Sequence, residues 1–365
     1  MLRTPYYCID LGRIARNMER IARLEALSGA KSLLALKCFA TWSAFPAMRA
    51  AMAGTTSSSL YELRLGREKF GGETHAYSVA WADHEMAEVA TLADKVIFNS
   101  LSQLDRFGPM VAGLPQGLRV NPGISSSGFD LADPARPFSR LGEHDPEVVA
   151  RALGRVSGFM FHNNCENADF DLFDRMLGQI EARFGHLIAQ MDWISLGGGI
   201  HFTGEGYPLE RLAARLGRFA ADHGVQVYLE PGEAAITQAA TLEVTVLDTL
   251  WNGRNIAIVD ASTEAHMLDL LIYRQSARIE GPTGPHEWMI CGKSCLAGDV
   301  FGTFQLPAPL RPGDRISFAD AAGYTMVKKN WFNGLNMPAI VLREADGQER
   351  VVRAFDYRDY AASLS

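Results

Sequence analysis

Cysteine is scarce in this chain. Cys8, Cys38, Cys165, Cys291 and Cys295 make five, an odd number scattered along 365 residues. That usage argues against a disulfide framework and for a reducing, cytoplasmic compartment. Cys291 and Cys295 lie close together, but no second Cys or His pair nearby completes a tetrahedral set, so no metal is expected. Long apolar runs are missing too: no stretch approaches the length that spans a bilayer. The start, Met1-Leu2-Arg3-Thr4-Pro5-Tyr6-Tyr7, lacks the apolar core of a secretory signal, and no membrane partner is expected. Basic residues are in deficit: 35 Lys and Arg against 42 Asp and Glu give a net charge of −7, which argues against a nucleic-acid partner. The same balance suits a cationic small molecule, although many cytosolic proteins are as acidic. No fixed-period repeat or low-complexity segment is present.

What the chain does have is the composition of a globular enzyme, 47% hydrophobic and 21% charged, at a length that suits one large and one smaller domain. Short β-rich runs recur at Leu33–Lys37, Thr55–Ser59, His75–Ala80, Lys95–Ser100, Gly117–Pro122, Val156–His162, Trp193–Gly199 and Val225–Gly232. Between most of them lie amphipathic segments such as Glu85–Leu92, Asp169–Ala189 and Leu209–His223. Eight strands alternating with helices predict an α/β fold, a (β/α)8 TIM-type barrel over residues 11–238. Beyond it, Thr241–Leu247, Ile256–Val259, Trp288–Cys291 and Arg315–Phe318 read as strands separated by turns such as Pro312-Gly313-Asp314. Residues 239–365 are therefore expected to form a β domain, joined by the N-terminal strand within residues 1–10.

The ends of the barrel strands carry the chemistry. They supply Lys37, Ser59, His162, Gly197-Gly198-Gly199 and Glu230, and a barrel brings all of these ends to one face. Each has a plain structural explanation of its own. Lys37 ends an apolar strand, where an ammonium either snorkels to water or loses its proton and becomes a nucleophile toward an aldehyde. Three glycines after a strand can cradle phosphate with bare backbone N–H groups, or simply turn. Glu230-Pro231-Gly232 offers either a carboxylate for a protonated pyridine or a turn, and His162 either a stacking, proton-shuttling imidazole or a core histidine. The loop Cys291-Gly292-Lys293-Ser294-Cys295-Leu296-Ala297-Gly298-Asp299 places a thiol and a carboxylate together. There the alternative is a buried cysteine acting as a small hydrophobe.

In order, these elements resemble the alanine-racemase-like, fold type III pyridoxal-phosphate decarboxylases, the group of ornithine and diaminopimelate decarboxylases. The resemblance runs from Thr4-Pro5-Tyr6-Tyr7 through Leu36-Lys37-Cys38, Ser58-Ser59-Leu60-Tyr61-Glu62 and Ser139-Arg140-Leu141-Gly142 to Gly323-Tyr324-Thr325 and Phe332-Asn333-Gly334. Within the group, the Cys291–Asp299 loop, Ala265-His266-Met267-Leu268-Asp269, His162-Asn163-Asn164-Cys165-Glu166 and Leu229-Glu230-Pro231-Gly232-Glu233 resemble the carboxynorspermidine/carboxyspermidine decarboxylases. Two departures stand out: Glu233 replaces the arginine of E-P-G-R in ornithine-type members, and Asn164 replaces an apolar residue.

The resemblance implies pyridoxal 5'-phosphate held on Lys37, with Glu230 on the ring nitrogen and His162 stacked on the ring. It implies that Ser59, Gly197, Gly198, Gly199, Gly232 and Tyr324 also bind the cofactor. Cys295 is the implied proton donor, with His162 its competitor for that step, and Glu233, Asp269 and, third, Asp299 are expected to hold the remote ammonium groups of a carboxylated triamine. A homodimer with composite sites is implied, Cys295 and Asp299 acting from the partner chain. Decarboxylation of diaminopimelate, ornithine or arginine, racemisation, and an inactive regulatory homologue are the alternatives.

Overall fold

The computed structural model describes residues 2–365 and divides into two compact units, Ala15–Ala235 and Met1–Ile14 with Ile236–Ser365. The chain opens with strand β1 (Tyr6–Asp10) and helix α1 (Leu11–Ser28). The first unit then closes eight parallel strands into a barrel. These are β2 (Lys31–Ala35), β3 (Gly54–Ser57), β4 (Glu73–Tyr77), β5 (Lys95–Phe98), β6 (Gln116–Val120), β7 (Gly158–Phe161), β8 (Trp193–Ser195) and β9 (Gln226–Leu229). Closure is made by β9 pairing with β2, Lys31 opposite Tyr228 and Ser32 opposite Leu229. The expected (β/α)8 barrel is thus present.

The side-chain alternation of these strands fills the interior in layers. Leu33, Tyr77, Ile97, Met160, Trp193 and Tyr228 form one buried cluster. The indole of Trp193 takes the space that side chains would need at Gly117 and Gly158, where a Cβ would lie 2.5 and 2.2 Å from the ring. At the N-terminal ends of the strands, Glu73 accepts hydrogen bonds from Lys31 (2.6 Å), Lys95 (2.9 Å) and Tyr228 (2.8 Å). Together with the His75 ring, 3.2 Å away and the largest influence, these bonds hold its carboxyl far below the usual range.

Helices between the strands are defined by caps and apolar stripes. Helix α2 (Leu60–Leu65) starts on Ser59, whose hydroxyl accepts the Glu62 N–H. In the longest, Phe170–Ile188, Asp169 caps the N-terminus and Phe173, Met176, Leu177, Ile180, Phe184 and Leu187 line one face at helical spacing. Leu209–His223 ends on Gly224 in the left-handed conformation.

The second unit is a sheet. Strand β1 pairs antiparallel with β10 (Ala240–Trp251) and parallel with a strand at Ala339–Arg343. Next to β10 come β11 (Asn255–Val259), β12 (His286–Cys291) and β13 (Val300–Leu306), while β14 (Arg315–Ala319) pairs with β10 at its other end. Strands Ala339–Arg343 and Glu349–Arg353 extend the far edge. Stacked Phe301 and Phe318, 4.3 Å between centroids, lie in its core.

Candidate active site

Every barrel strand ends one to four residues earlier than the apolar pattern suggests, so the chemistry-bearing residues lie in the turns just beyond. β2 stops at Ala35, and the Cys38 N–H bonds back to the Ala35 carbonyl (3.0 Å), which puts Lys37 at the head of a tight turn. Lys37 lines a cavity with Ser58, Tyr77, Arg119, His162 and Glu230. Its amine has no hydrogen bond or ion pair among the described residues. Burial lowers its pKa, and the Arg119 cation adds to the effect while Glu230 and Glu62 oppose it. An unpaired amine short of its proton is a nucleophile.

Glu230 follows β9 and is 4% exposed. Its Oε1 accepts the Ser195 Oγ–H at 2.6 Å, while no donor among the described residues reaches Oε2. One carboxylate oxygen is therefore fixed and the other is open on the side of the cavity. The same Ser195 oxygen accepts the Gly197 N–H (3.2 Å), so one hydroxyl ties β8, its glycine turn and the carboxylate together.

His162 follows β7. Its Nδ1 accepts the Gly198 N–H at 3.0 Å, which fixes the proton of the neutral ring on Nε2. Burial, with Lys37 and Arg119 beside it, holds its pKa well below the usual histidine value. The three glycines are needed for closeness. A Cβ on Gly197 would meet His162 Nδ1 at 2.3 Å, one on Gly198 the Glu230 carbonyl at 2.3 Å, and one on Gly199 the Asn164 carbonyl at 2.2 Å. Gly197 and Gly198 spend their N–H groups on Ser195 and His162, which leaves the Gly199 N–H as the one of the three without an acceptor among the described residues.

Ser58, not Ser59, enters the cavity wall, because β3 ends at Ser57 and the exposed Ser59 is committed to capping α2. Gly232 has a local reason for lacking a side chain, since a Cβ there would stand 2.5 Å from Cys38 Cβ. It lets the Glu230 turn pack on the Lys37 turn. Glu233 follows, and its Oε2 accepts the Cys38 thiol at 3.6 Å.

Residues that the strand ends did not reveal complete the barrel site. Arg119, inside β6 and 5% exposed, donates to the Tyr77 hydroxyl (2.7 Å), which donates to Asn99 Oδ1 (2.8 Å). A lone arginine in Gln116-Gly117-Leu118-Arg119-Val120 was the available signal. Glu62 accepts the Ser58 N–H at 2.6 Å, and burial pushes its carboxyl up.

The sheet unit holds the other expected residues. Asp269 pairs with Lys328 at 2.5 Å, and the same ammonium lies 5.1 Å from the Tyr324 ring centroid. Tyr324 has φ +50°, a left-handed residue in the turn after β14. Cys295 is exposed and its N–H donates to Asn333 Oδ1 (2.7 Å). Asp299 is buried, with four hydrogen bonds on its carboxylate. A carboxylate offers about four acceptor directions. The four bonds take up those directions, which weighs against Asp299 as an ammonium site.

The barrel residues fit pyridoxal phosphate. Lys37 supplies an amine for its aldehyde, Glu230 an open carboxylate oxygen for its ring nitrogen, and the Gly199 turn a bare backbone N–H for an anion. The family model "Pyridoxal-dependent decarboxylase, C-terminal sheet domain" matches residues 7–322. The chain belongs to the pyridoxal-dependent decarboxylases. Among relatives in this family, a carboxynorspermidine/carboxyspermidine decarboxylase of Herminiimonas arsenicoxydans is 58% identical over 100% of both chains. A carboxyaminopropylagmatine decarboxylase of Synechocystis is 35% identical over 100% of this chain and 96% of its own. The crystal structure of carboxynorspermidine decarboxylase from Campylobacter jejuni, complexed with norspermidine, superposes with a TM-score of 0.92 at 34% identity, covering 99% of this chain and 100% of that one. Among the described residues of this decarboxylase, no helix is long and apolar enough to cross a membrane.

Proposed function

We propose that this decarboxylase removes the α-carboxyl of carboxynorspermidine, carboxyspermidine or both, giving norspermidine and spermidine in polyamine biosynthesis. The observation that carries the reaction is the pairing of an unpaired Lys37 amine with an open Glu230 oxygen in one cavity. Support for the substrate comes from the 58% identity to a carboxynorspermidine/carboxyspermidine decarboxylase over the full length.

Pyridoxal phosphate, when bound, supplies the electron sink for the pair left behind as carbon dioxide departs. Lys37 Nζ would hold the aldehyde of the cofactor. Glu230 Oε2 would hold the ring nitrogen with its proton, Ser195 fixing the other carboxylate oxygen. His162 would face the ring as a neutral imidazole, its Nδ1 already engaged by Gly198 and its Nε2 carrying the proton. Gly197, Gly198, Gly199, Gly232 and Tyr324 would hold the phosphate together with the Ser58-Ser59 turn, Gly199 offering an N–H without an acceptor among the described residues. Cys295 Sγ returns a proton to the carbon that lost its carboxylate. Glu233 and Asp269 hold the remote ammonium groups. Cys295 reaches the site from a second copy of the chain in a homodimer, and the enzyme works in the cytoplasm, in keeping with five free cysteines.

The test is carbon dioxide release by the reconstituted enzyme from carboxynorspermidine, carboxyspermidine, carboxyaminopropylagmatine, diaminopimelate, ornithine and arginine. Turnover of the first two at least about tenfold above the rest in kcat/KM is expected, since remote ammonium groups bound by carboxylates contribute more than a methylene does. Preference for diaminopimelate, ornithine or arginine refutes the substrate assignment.

A further inference from the structure

The loop between β12 and β13 presents the Cys295 thiol, and a buried carboxylate sits underneath it. Asp299 is 3% exposed. Its Oδ1 accepts the Thr263 N–H (2.7 Å) and the Thr263 hydroxyl (2.8 Å); its Oδ2 accepts the Ser294 hydroxyl (2.5 Å) and the Ser294 N–H (3.2 Å). Two backbone bonds close the same loop, Asp299 N–H to the Leu296 carbonyl (3.0 Å) and Gly292 N–H to the Asp299 carbonyl (2.9 Å). Gly292 has to be glycine here, because a Cβ would fall 2.2 Å from Asp299 Oδ2.

Ser294 is the hinge of this arrangement. Its hydroxyl donates to Asp299 and accepts the Leu296 N–H (3.3 Å), so it fixes the residues on both sides of Cys295. From the other side the Cys295 N–H is held by Asn333 Oδ1. The thiol is exposed, yet the backbone that carries it is pinned at residues 294, 295 and 296. A buried carboxylate with charge-assisted bonds to two segments makes a rigid anchor, whereas an exposed glycine-containing loop has little else to order it.

We propose that Asp299 is a positioning residue for the thiol: through Ser294 it sets where Cys295 stands and does not bind substrate. The catalytic consequence rests on the reading of Cys295 as proton donor; the placement of the loop does not.

The test alkylates the pyridoxal-phosphate-loaded enzyme with iodoacetamide and follows the Cys295 peptide by mass spectrometry, with the buried Cys8 peptide reporting unfolding. Asp299→Asn and Ser294→Ala are expected to change the Cys295 rate by about threefold or more while Cys8 stays unlabelled. Both should lower kcat by about tenfold with KM for the preferred triamine acid within about twofold, and Asp299→Asn should cost nothing further in a Cys295→Ala background. A Cys295 rate unchanged in both variants overturns the proposal, as does a rise in KM of about tenfold with kcat retained, which would place Asp299 on the substrate. If Asp299→Asn exposes Cys8, Ser294→Ala decides on the same two readouts. Full turnover by Cys295→Ala would refute the proton-donor reading alone, and the labelling rates would still decide the role of Asp299.

Discussion

Replacing Ser195 with Ala removes the one hydroxyl that holds the Glu230 carboxylate and tests what Glu230 is for. In the structure that hydroxyl donates to a buried carboxylate at 2.6 Å and accepts the Gly197 N–H at 3.2 Å. A hydrogen bond to a charged group contributes about 1.5–3 kcal/mol. For a unit the size of the Ala15–Ala235 barrel, a loss of about 2 kcal/mol lowers the melting temperature by about 4–8 °C. The informative comparison is between cofactor-stripped and reconstituted protein. Once Ser195 is gone, Glu230 has no donor left, and a protonated pyridine nitrogen becomes its one available partner. The cofactor should then stabilise Ser195→Ala more than it stabilises the parent, by about 1 kcal/mol or 2–4 °C in the melting increment. Thermal unfolding of all four samples by circular dichroism measures this. A variant that loses the same number of degrees with and without cofactor refutes the reasoning, because Glu230 would then be a structural carboxylate and not a ring-nitrogen partner.

Two further outcomes follow from the surroundings of Asp269 and His266. If Asp269 is a seat for a substrate ammonium, Lys328 occupies it in the free enzyme, and Lys328→Met should lower KM for triamine acids about two- to fivefold, the worth of a partly exposed ion pair; a raised KM would mean that Lys328 serves to orient Asp269. Burial of His266 holds its pKa at about 4 instead of 6.5, so the unfolded chain takes up a proton that the folded chain refuses. Stability is fully present above pH 6.5 and is lost as pH falls from 6.5 toward 4, by about 3 kcal/mol for this group, with His162 adding in the same direction. Urea titrations at several pH values across that window should show a slope shallower by one proton in His266→Gln, and parallel slopes would exclude His266 as a source of the acid sensitivity.

The barrel was legible because eight β-rich runs alternate with helical segments, and because five of those runs carry a residue with chemistry in it at their end. That position singled out Lys37, His162, Glu230 and the three glycines, but each had a plain structural explanation there and only their order along the chain gave them roles. The strand ends were harder: Lys37 and His162 lie past the last ladder bond, and the one-residue slip from Ser59 to Ser58 follows from the same uncertainty. Arg119 was missed because a single arginine in a strand reads as an outward-facing residue until its partner is known, and Tyr77 is 42 residues away. In the sheet unit, Ala339–Arg343 pairs with β1 from the other end of the chain, a partner no local pattern could indicate, while Val300–Leu306 and Glu349–Arg353 pair with the strands just before them and were not read as strands.

The carboxylates show what a sequence leaves open. Glu230, Glu233, Asp269 and Asp299 are alike as letters: each is an acid in a glycine-containing or apolar context. What separates them is the number of donors each has gathered by folding. Glu230 has one donor and an oxygen left over beside Lys37. Asp269 has a lysine ammonium that another cation can replace, and Glu233 counts the Cys38 thiol, a weak donor, among its partners. Asp299 has four donors and nothing to offer a ligand. Donors on Asp299 come from Thr263 and Ser294, and the first of these lies 36 residues upstream, beyond any local motif. A carboxylate can bind only with the lone pairs that its own chain has not taken, and that remainder is a property of the fold.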